Sequence, residues 1–593
     1  METLFDRDHL HFLLDEVLKI ERLLSYPRFQ KHSSESFEQI IELAYQVARD
    51  KFAPSNRASD LNEPRIEAGK VKLIDGLVEG VRAYNEAGFC AALADEADGG
   101  LQLPFVIASV ADAIFTAANP STIAYPSLAR AAANLLAEHA SPEQKLRYMQ
   151  PIVAGRWFGT MCLSEPQAGS SLADVSTRAE PLADGRYRIS GAKMWISAGE
   201  HEIGENIVHL VLVRMLGAPA GVHGISLMIV PRYRLADDGQ LIDNDVRLAG
   251  LNHKMGQRGS VNTFLKFGER GDCIGELIGQ PNQGLKLMFH MMNEERIAVG
   301  MGAVMVGAAG YYYALQYAKE RKQGRLPGQK DPNSAPIPII EHADVKRMLL
   351  EQKCVIEGMQ LLGLYAATLV DDLRAPDTVK VHEADLKLEL LTPVIKAWGS
   401  DRALEANALA IQILGGYGYT RDYPVEQCYR DNRINPIHEG TNGIQALDLL
   451  GRKIALEDGR ALELLADEIR NTIVAASSVV TLSGMAEQLS QALTLTLSTL
   501  KSALHAMRAG GVLLTLANAE YAMRMMGTLC NAWCLLRMAL AAPQSRHLSS
   551  AAQAGKLQCC TYFFEVHLPL IKHWSTLMVE EHACSLVMQA EWF

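Results

Sequence analysis

The sequence predicts an α+β fold in which helices and strands occupy separate stretches of the chain. Apolar residues recur at helical spacing from residue 1 to about 158, short β-rich runs fill about 159–280, and long helical patterns return from about 281 onward. Strands alternating with helices would have predicted a doubly wound parallel sheet. Strands grouped between helical blocks predict a β domain inserted between helical ones.

In the first block, FEQIIELAYQVARDKF (37–52) and LIDGLVEGVRAYNEAGF (73–89) read as helices, and ADEADGGLQLP (94–104) breaks them with turn residues. At SPEQ (141–144), Ser141 reads as a helix N-cap with Gln144 placed to complete a capping box. The candidate strands of the middle block are YRISGAKMWIS (187–197), NIVHLVLVRM (206–215), GISLMIVPRY (224–233) and VNTFLKFG (261–268). Residues 284–321 and DRALEANALAIQILGG (401–416) then read as long helices of a bundle, separated by a Gly- and Pro-containing loop at 322–339. A further helical stretch rich in Ala, Leu and Met closes the chain, so the expected domains are 1–158, 159–280, 281–456 and 457–593.

A chain of 593 residues is too long for one ordinary core, and 48% hydrophobic with 21% charged residues excludes a disordered chain. A net charge of −11 argues against attachment of the whole protein to nucleic acid through phosphate neutralisation. The start, METLFDRDHLHFLLDEV, lacks a basic stretch followed by a long apolar run, so no secretory signal is expected. No uninterrupted apolar stretch of membrane-spanning length is expected either, and a cytoplasmic or organelle-matrix location is expected, the cytoplasm being the choice. The 10 cysteines are scattered; Cys559–Cys560 and Cys530 with Cys534 lack the partners of a zinc site, so buried thiols and no metal are expected.

Two segments suit a polar, planar ligand. MCLSEPQAGSS (161–171) offers small and hydroxyl residues for close backbone approach and hydrogen bonding, and KMWIS (193–197) places Trp195 where it could stack on a flat ring. With KMGQRGS (254–260), NEERIAVG (293–300), QILGGYGY (412–419) and YRDNRINPIHEGTNGIQ (429–445), they occur in an order and spacing that resembles the acyl-CoA dehydrogenase family over roughly 35–455.

The resemblance implies a helical domain, a β domain and a four-helix bundle, with FAD between the last two and reaching a neighbouring subunit. It implies that Met161, Leu163, Ser164, Gly169 and Ser170 line the flavin and its diphosphate, that Trp195 and Ser197 flank the isoalloxazine, and that Thr441 faces it. Met161 stands where an aromatic residue is common. Arg321 resembles the arginine that pairs with the partner subunit's FAD diphosphate, and Gln412, Gly415 and Gly416 the segment that approaches the adenosine half. Lys319, Lys322 and Arg325 read as solvated loop charges. Ser170, Asn293, Arg296 and Gly440 match substrate-binding positions, Asn293 standing where Asp is frequent.

The chemistry implied is α,β-dehydrogenation of an acyl-CoA thioester, which needs a carboxylate to take the weakly acidic α proton. Glu439, in IHEGT, resembles the family's most common base, and Gly440 leaves room for the thioester. Glu295 stands where a minority of relatives place theirs and reads here as a structural or ion-paired carboxylate, while His438 reads as packing. The extension 457–593 suggests a homodimer, with peripheral membrane contact as its alternative use. The electron acceptor implied is electron-transfer flavoprotein, with direct transfer to oxygen not excluded by the motifs. The substrate reading is a medium- to long-chain fatty acyl-CoA of β-oxidation, with 3-methylthiopropanoyl-CoA as the alternative. A DNA-binding flavoprotein of the same fold is the reading from another class, disfavoured by the acidic charge.

Overall fold

The chain folds as two units, Ser34–Glu295 and Met1–Ser33 together with Arg296–Phe593. The structure, a computed structural model, describes residues 5–593 apart from 237, 330, 332 and 581, and apart from the side chains of 289–292. This division departs from the expected boundaries at both ends. The first 33 residues, read as part of the N-terminal helical domain, belong instead with the C-terminal half. Their first helix, α1 (Arg7–His11), leads into π-helical and 3-10 turns that bury Phe12, Leu13 and Leu23. Polar groups pin the segment: Arg22 donates to both oxygens of Asp372 at 2.5 and 3.0 Å, and the Tyr26 hydroxyl donates to the same carboxylate at 2.6 Å. Local periodicity reports that a segment is amphipathic; it carries no record of which body supplies the other half of the core.

In Ser34–Glu295, α2 (Ser34–Val47) continues through a π-turn into α3 (Ala53–Leu61), and a small hairpin not announced by the helical pattern follows, β1 (Arg65–Glu67) with β2 (Lys70–Lys72). Next come α4 (Asp75–Glu86), α5 (Phe105–Ala118) and α6 (Pro120–His139), the last capped by Asn119, whose side chain accepts the N–H groups of Ser121 and Thr122 at 3.1 Å. The expected capping box is present at α7 (Pro142–Gln144), and α8 (Gln150–Val153) ends the helical block.

The strands are β3 (Trp157–Cys162), β4 (Arg178–Pro181), β5 (Tyr187–Ser197), β6 (Asn206–Met215), β7 (Ile225–Pro231), β8 (Tyr233–Leu235), β9 (Leu241–Asp243), β10 (Val246–Leu251), β11 (Asn262–Phe267) and β12 (Ile274–Leu277). Apart from the β8–β9 hairpin they form one sheet in the order β10-β11-β5-β12-β7-β6-β3, with β4 pairing β5 and β6. All neighbours are antiparallel except β3 and β4, each parallel to β6. The near-continuous apolar run of β6 follows from burial on both faces. One face packs Leu210, Leu212, Ile225 and Leu227 with Leu135 and Leu136 of α6. Gly159 permits that approach, since a Cβ there would lie 2.4 Å from Ala132 Cβ.

Two histidines of this unit, His201 and His209, are buried, and burial pushes each imidazole from 6.5 down to about 3. An unfolded histidine takes a proton near 6.5 that these refuse in the folded state. Stability present above that pH is therefore lost as pH falls from about 6.5 towards 3. Thermal unfolding across this range, in wild type and in His209→Gln, should show the variant losing less of its melting temperature to acid; equal losses would sink the assignment.

In the other unit the bundle helices are α9 (Gly284–Glu320, which begins in the preceding unit), α10 (Ala343–Asp372), α11 (Thr378–Leu414), α12 (Val425–Asn432) and α13 (Asn442–Gly451). The extension adds α14 (Arg460–Ser477), α15 (Ser483–Arg508), α16 (Val512–Ala517), α17 (Ala519–Ala541), α18 (Ser550–Val566), α19 (Leu570–Val579) and α20 (Cys584–Val587). It is not a detached domain. The buried helix α17 packs against α10, α11 and α13 as well as α15, α18 and α19, so bundle and extension share a core.

Three helices, Asn293–Glu320, Ala343–Asp372 and Ala519–Gln544, are long and apolar enough to cross a membrane, contrary to the expectation that no such stretch exists. Their most apolar windows are 67, 94 and 83% buried within the protein, as central helices of a large bundle require. All cysteines are free, and most are buried as expected.

Candidate active site

The chain between α12 and α13 turns sharply around Glu439. Glu439 (φ 51°) and Gly440 (φ 78°) are both left-handed, a conformation that only the second adopts without strain. Several hydrogen bonds hold the turn. Gln445 on α13 donates its Nε2 to the Glu439 carbonyl at 2.8 Å, and Lys396 on α11 donates its Nζ to the Gly440 carbonyl at 2.5 Å and to Asn442 Oδ1 at 2.9 Å. A Cβ on residue 440 would stand 2.8 Å from Gln445 Nε2, so glycine is required for space as well as for its backbone angle. Thr441 caps α13, its hydroxyl accepting the Ile444 N–H at 3.4 Å.

Beneath the turn runs a ladder of buried amides. Asn435 donates to Asn432, and Asn432 donates to Asn407 and to the Ala303 carbonyl, joining α12, α11 and α9. His438 Nε2 lies 3.0 Å from Asn435 Oδ1 in the same ladder, and burial pushes its imidazole down to about 4. It is a neutral packing group, as expected.

The Glu439 side chain is open to solvent on one side and enclosed by protein on the others. Burial raises its carboxyl above the ordinary range, and the cations Lys396 and Arg296 pull in the opposite direction. A desolvated carboxylate with nearby cations on an over-determined turn has the properties of a general base: a raised proton affinity and a fixed direction. Arg296 is only 5% exposed and donates to Asp448 on α13 at 3.0 Å. It also acts on Glu439, and its Nε has no hydrogen-bond partner among the described residues, so it stands behind the turn as a buried cation rather than as an exposed clamp. Glu295 lies near enough to Arg130 to raise the guanidinium, itself paired to Asp112. That is the surrounding of an ion-paired carboxylate. Asn293 is half-buried on the same helix.

The sequence-assigned flavin residues of Ser34–Glu295 cluster where β3 and β5 leave the sheet. Met161 lies at the end of β3; Leu163 and Ser164 are half-exposed just beyond it, and Gly169 and Ser170 are exposed on the following loop. A buried ion pair holds that loop. Glu165 accepts the backbone and hydroxyl groups of Ser176 and Thr177 at 2.6–2.9 Å and pairs with Lys193 at 2.9 Å, while Lys193 also donates to the Leu163 carbonyl at 2.9 Å.

Lys193 faces inward on β5, and two residues on the strand bulges against β11, the register shifting between Thr263 and Leu265. Trp195 sits in this bulge at φ 67° with 61% of its surface exposed. A tryptophan held in a left-handed conformation and aimed at solvent fits a flat ring system lying against it. Ser197 follows, its Oγ accepting Asn262 Nδ2 at 3.3 Å.

In the other unit, Gln412, Gly415 and Gly416 are exposed at the end of α11, and Gly415 (φ 62°) breaks that helix. Arg321 is exposed with its guanidinium 5.6 Å from the centre of the Tyr417 ring, leaving a cation free to meet a phosphate. Lys319, Lys322 and Arg325 are surface charges. The residues present therefore fit FAD on their own chemistry: an exposed aromatic face, hydroxyls on an open loop and a stacked arginine.

These groups, each taken in its own unit, are those of a flavin-dependent oxidoreductase, and the chain belongs to the acyl-CoA dehydrogenase family. The family models "Acyl-CoA dehydrogenase, N-terminal domain", "Acyl-CoA dehydrogenase, C-terminal domain" and "Acetyl-CoA dehydrogenase C-terminal like" match residues 34–156, 282–454 and 465–589. The chain is 36% identical to 3-methylmercaptopropionyl-CoA dehydrogenase of Ruegeria pomeroyi, over 77% of this chain and 78% of that one. It is 34% identical to the broad-specificity linear acyl-CoA dehydrogenase FadE5 of Mycobacterium tuberculosis, over 78% and 77%. Its fold matches that of an acyl-CoA dehydrogenase complexed with FAD from Bacillus anthracis, with a TM-score of 0.74 over 98% of this chain and 93% of that one, at 20% identity. The protein is an FAD-dependent acyl-CoA dehydrogenase.

Sequence reasoning missed Lys396, Asn442, Gln445 and the amide ladder. A signal existed for the first, a lone lysine inside the apolar run LLTPVIKAW.

Proposed function

We propose that the enzyme desaturates straight medium- to long-chain fatty acyl-CoAs to trans-2-enoyl-CoAs in fatty acid β-oxidation, with Glu439 as the base. The observation that carries this reading is the Glu439 carboxyl, open on one side only, on its left-handed turn beside the cations Lys396 and Arg296. Glu439 takes the α proton, and its peptide N–H together with the room at Gly440 receives the thioester carbonyl, where negative charge develops. Bound FAD supplies the acceptor for the hydride leaving Cβ.

Met161, Leu163, Ser164, Gly169, Ser170, Trp195 and Ser197 are the residues assigned to hold FAD, with Arg321, Gln412, Gly415, Gly416 and Thr441. Ser170, Asn293 and Gly440 are assigned to substrate, with Arg296 in support. The exposure of Arg321, Gln412, Gly415 and Gly416 supports a homodimer in which they meet the partner's cofactor. Electron-transfer flavoprotein is the assigned acceptor and the cytoplasm the assigned location. Exposed Val587, Trp592 and Phe593 support peripheral membrane contact. Pelleting with lipid vesicles that is lost on removal of 584–593 would bear that out, and unchanged pelleting would remove it.

The relative from Ruegeria pomeroyi favours a second substrate reading, 3-methylthiopropanoyl-CoA. Anaerobic titration of the flavoprotein with saturated acyl-CoAs up to palmitoyl-CoA, and with 3-methylthiopropanoyl-CoA, separates the two. Loss of flavin absorbance with the medium and long chains is the expected result. Loss with the sulfur-containing substrate alone would select the second reading, and loss with none would overturn both.

A further inference from the structure

A lysine wholly enclosed in a helix bundle requires a reason, because burying an ammonium group away from water is costly unless something compensates it. The Lys396 side chain is fully buried on α11 and, among the described residues, makes no direct ion pair. Its hydrogen bonds go instead to the Gly440 carbonyl and Asn442 Oδ1, the two groups that follow Glu439. Asn442 is itself held on α11, donating to the Ala397 carbonyl and to Ser400 Oγ at 3.1 Å.

The charged and titratable groups around the ammonium are Glu439 across the turn, Asp401 on its own helix, Arg296 on α9 and His438 before the base. Asp401 is occupied by Asn442 and Arg402. Both carboxylates act on the ammonium, Glu439 more strongly than Asp401.

We propose that Lys396 is a positioning residue for Glu439: its hydrogen bonds to the Gly440 carbonyl and Asn442 fix the left-handed turn, and they hold a buried cation beside the Glu439 carboxylate. The proposal rests on the reading of Glu439 as the base. It separates two contributions that the turn combines. Gln445 ties the Glu439 carbonyl with a neutral amide, whereas Lys396 ties the next carbonyl with a cation. Burial lowers the Lys396 ammonium to about 8, so the charge is present at neutral pH. A cation favours the ionised carboxylate; without it the proton is held more tightly, and Glu439 ionises only at higher pH.

The test uses full-length holoenzyme carrying Lys396→Met, which removes bond and charge together, and Lys396→Gln, which keeps a donor for the Gly440 carbonyl without the charge. Glu439 is titrated directly by its infrared carboxyl band, taken as the difference from Glu439→Gln, and the pH dependence of flavin reduction by acyl-CoA is followed in parallel. Both variants should ionise Glu439 about one pH unit or more higher than wild type, the shift expected for loss of a neighbouring opposite charge. The acid limb of the reduction rate should move with it, and Lys396→Gln should keep the higher plateau. If Lys396→Met does not fold, the Lys396→Gln titration decides alone. A residue that served folding only would lower the rate at every pH and leave the midpoint in place, and that result would overturn the proposal. Absence of any coupling between the wild-type carboxyl titration and flavin reduction would instead overturn the base assignment.

Discussion

Glu439→Gln should lower the rate of flavin reduction by about 10²–10⁴-fold, the range for loss of a positioned general base. The substitution is nearly isosteric and preserves what surrounds the base. Gln445 still donates to the carbonyl of residue 439 and Lys396 to that of Gly440, since both bonds are to backbone oxygens. The variant should therefore bind FAD and acyl-CoA much as wild type does and fail only in taking the proton. Glu295→Gln should keep most of its activity, because Glu295 lies within electrostatic reach of the Arg130–Asp112 pair rather than on the strained turn. Rapid-mixing measurement of flavin bleaching reads both variants. Near-normal reduction in Glu439→Gln with collapse in Glu295→Gln would move the base to α9.

Lys193→Met should cost about 3–5 kcal/mol of stability, the range for removing one partner of a buried ion pair. Lys193 and Glu165 have side chains 0% and 1% exposed and stand 2.9 Å apart. Burial alone would raise the Glu165 carboxyl; Lys193 with the Ser176 and Thr177 donors outweighs it and holds the group down to about 2. Without the lysine a buried carboxylate keeps its hydrogen bonds but loses its counter-charge, and the Leu163 carbonyl loses its donor. The loop from Leu163 to Thr177 is the one assigned to the flavin, so FAD release should accelerate along with the fall in melting temperature. Lys266→Met is the control. It breaks a pair exposed on both sides, 42% and 48%, and should change stability by no more than about 0.5 kcal/mol. Similar effects from the two substitutions would show that the buried pair has no special part in holding the loop.

The fold was legible in the sequence to the extent that it is written in local pattern. Residues 187–197 and 206–215 were read as strands and are strands over those same residues, and the Ser141 capping box stands where its spacing put it. The turn at Glu439 and Gly440 lies in a segment that its motif singles out, because a glutamate followed by glycine at such a turn is a local arrangement. The small hairpin at 65–72 was not. Its strands are only three residues each and show no alternation long enough to register.

What the sequence determined by itself was the order of helical and β blocks and the family, since each is encoded in neighbouring residues. Only the tertiary structure decided that the first 33 residues belong with the C-terminal half and that bundle and extension share a core through α17. Only it, too, decided that Lys396, 43 positions before Glu439 in the chain, closes the turn at Glu439 and Gly440. The physical reason is the same throughout. Propensity and capping act over a few residues, whereas packing partners and compensating charges for buried groups are chosen by three-dimensional proximity, which chain separation does not reveal.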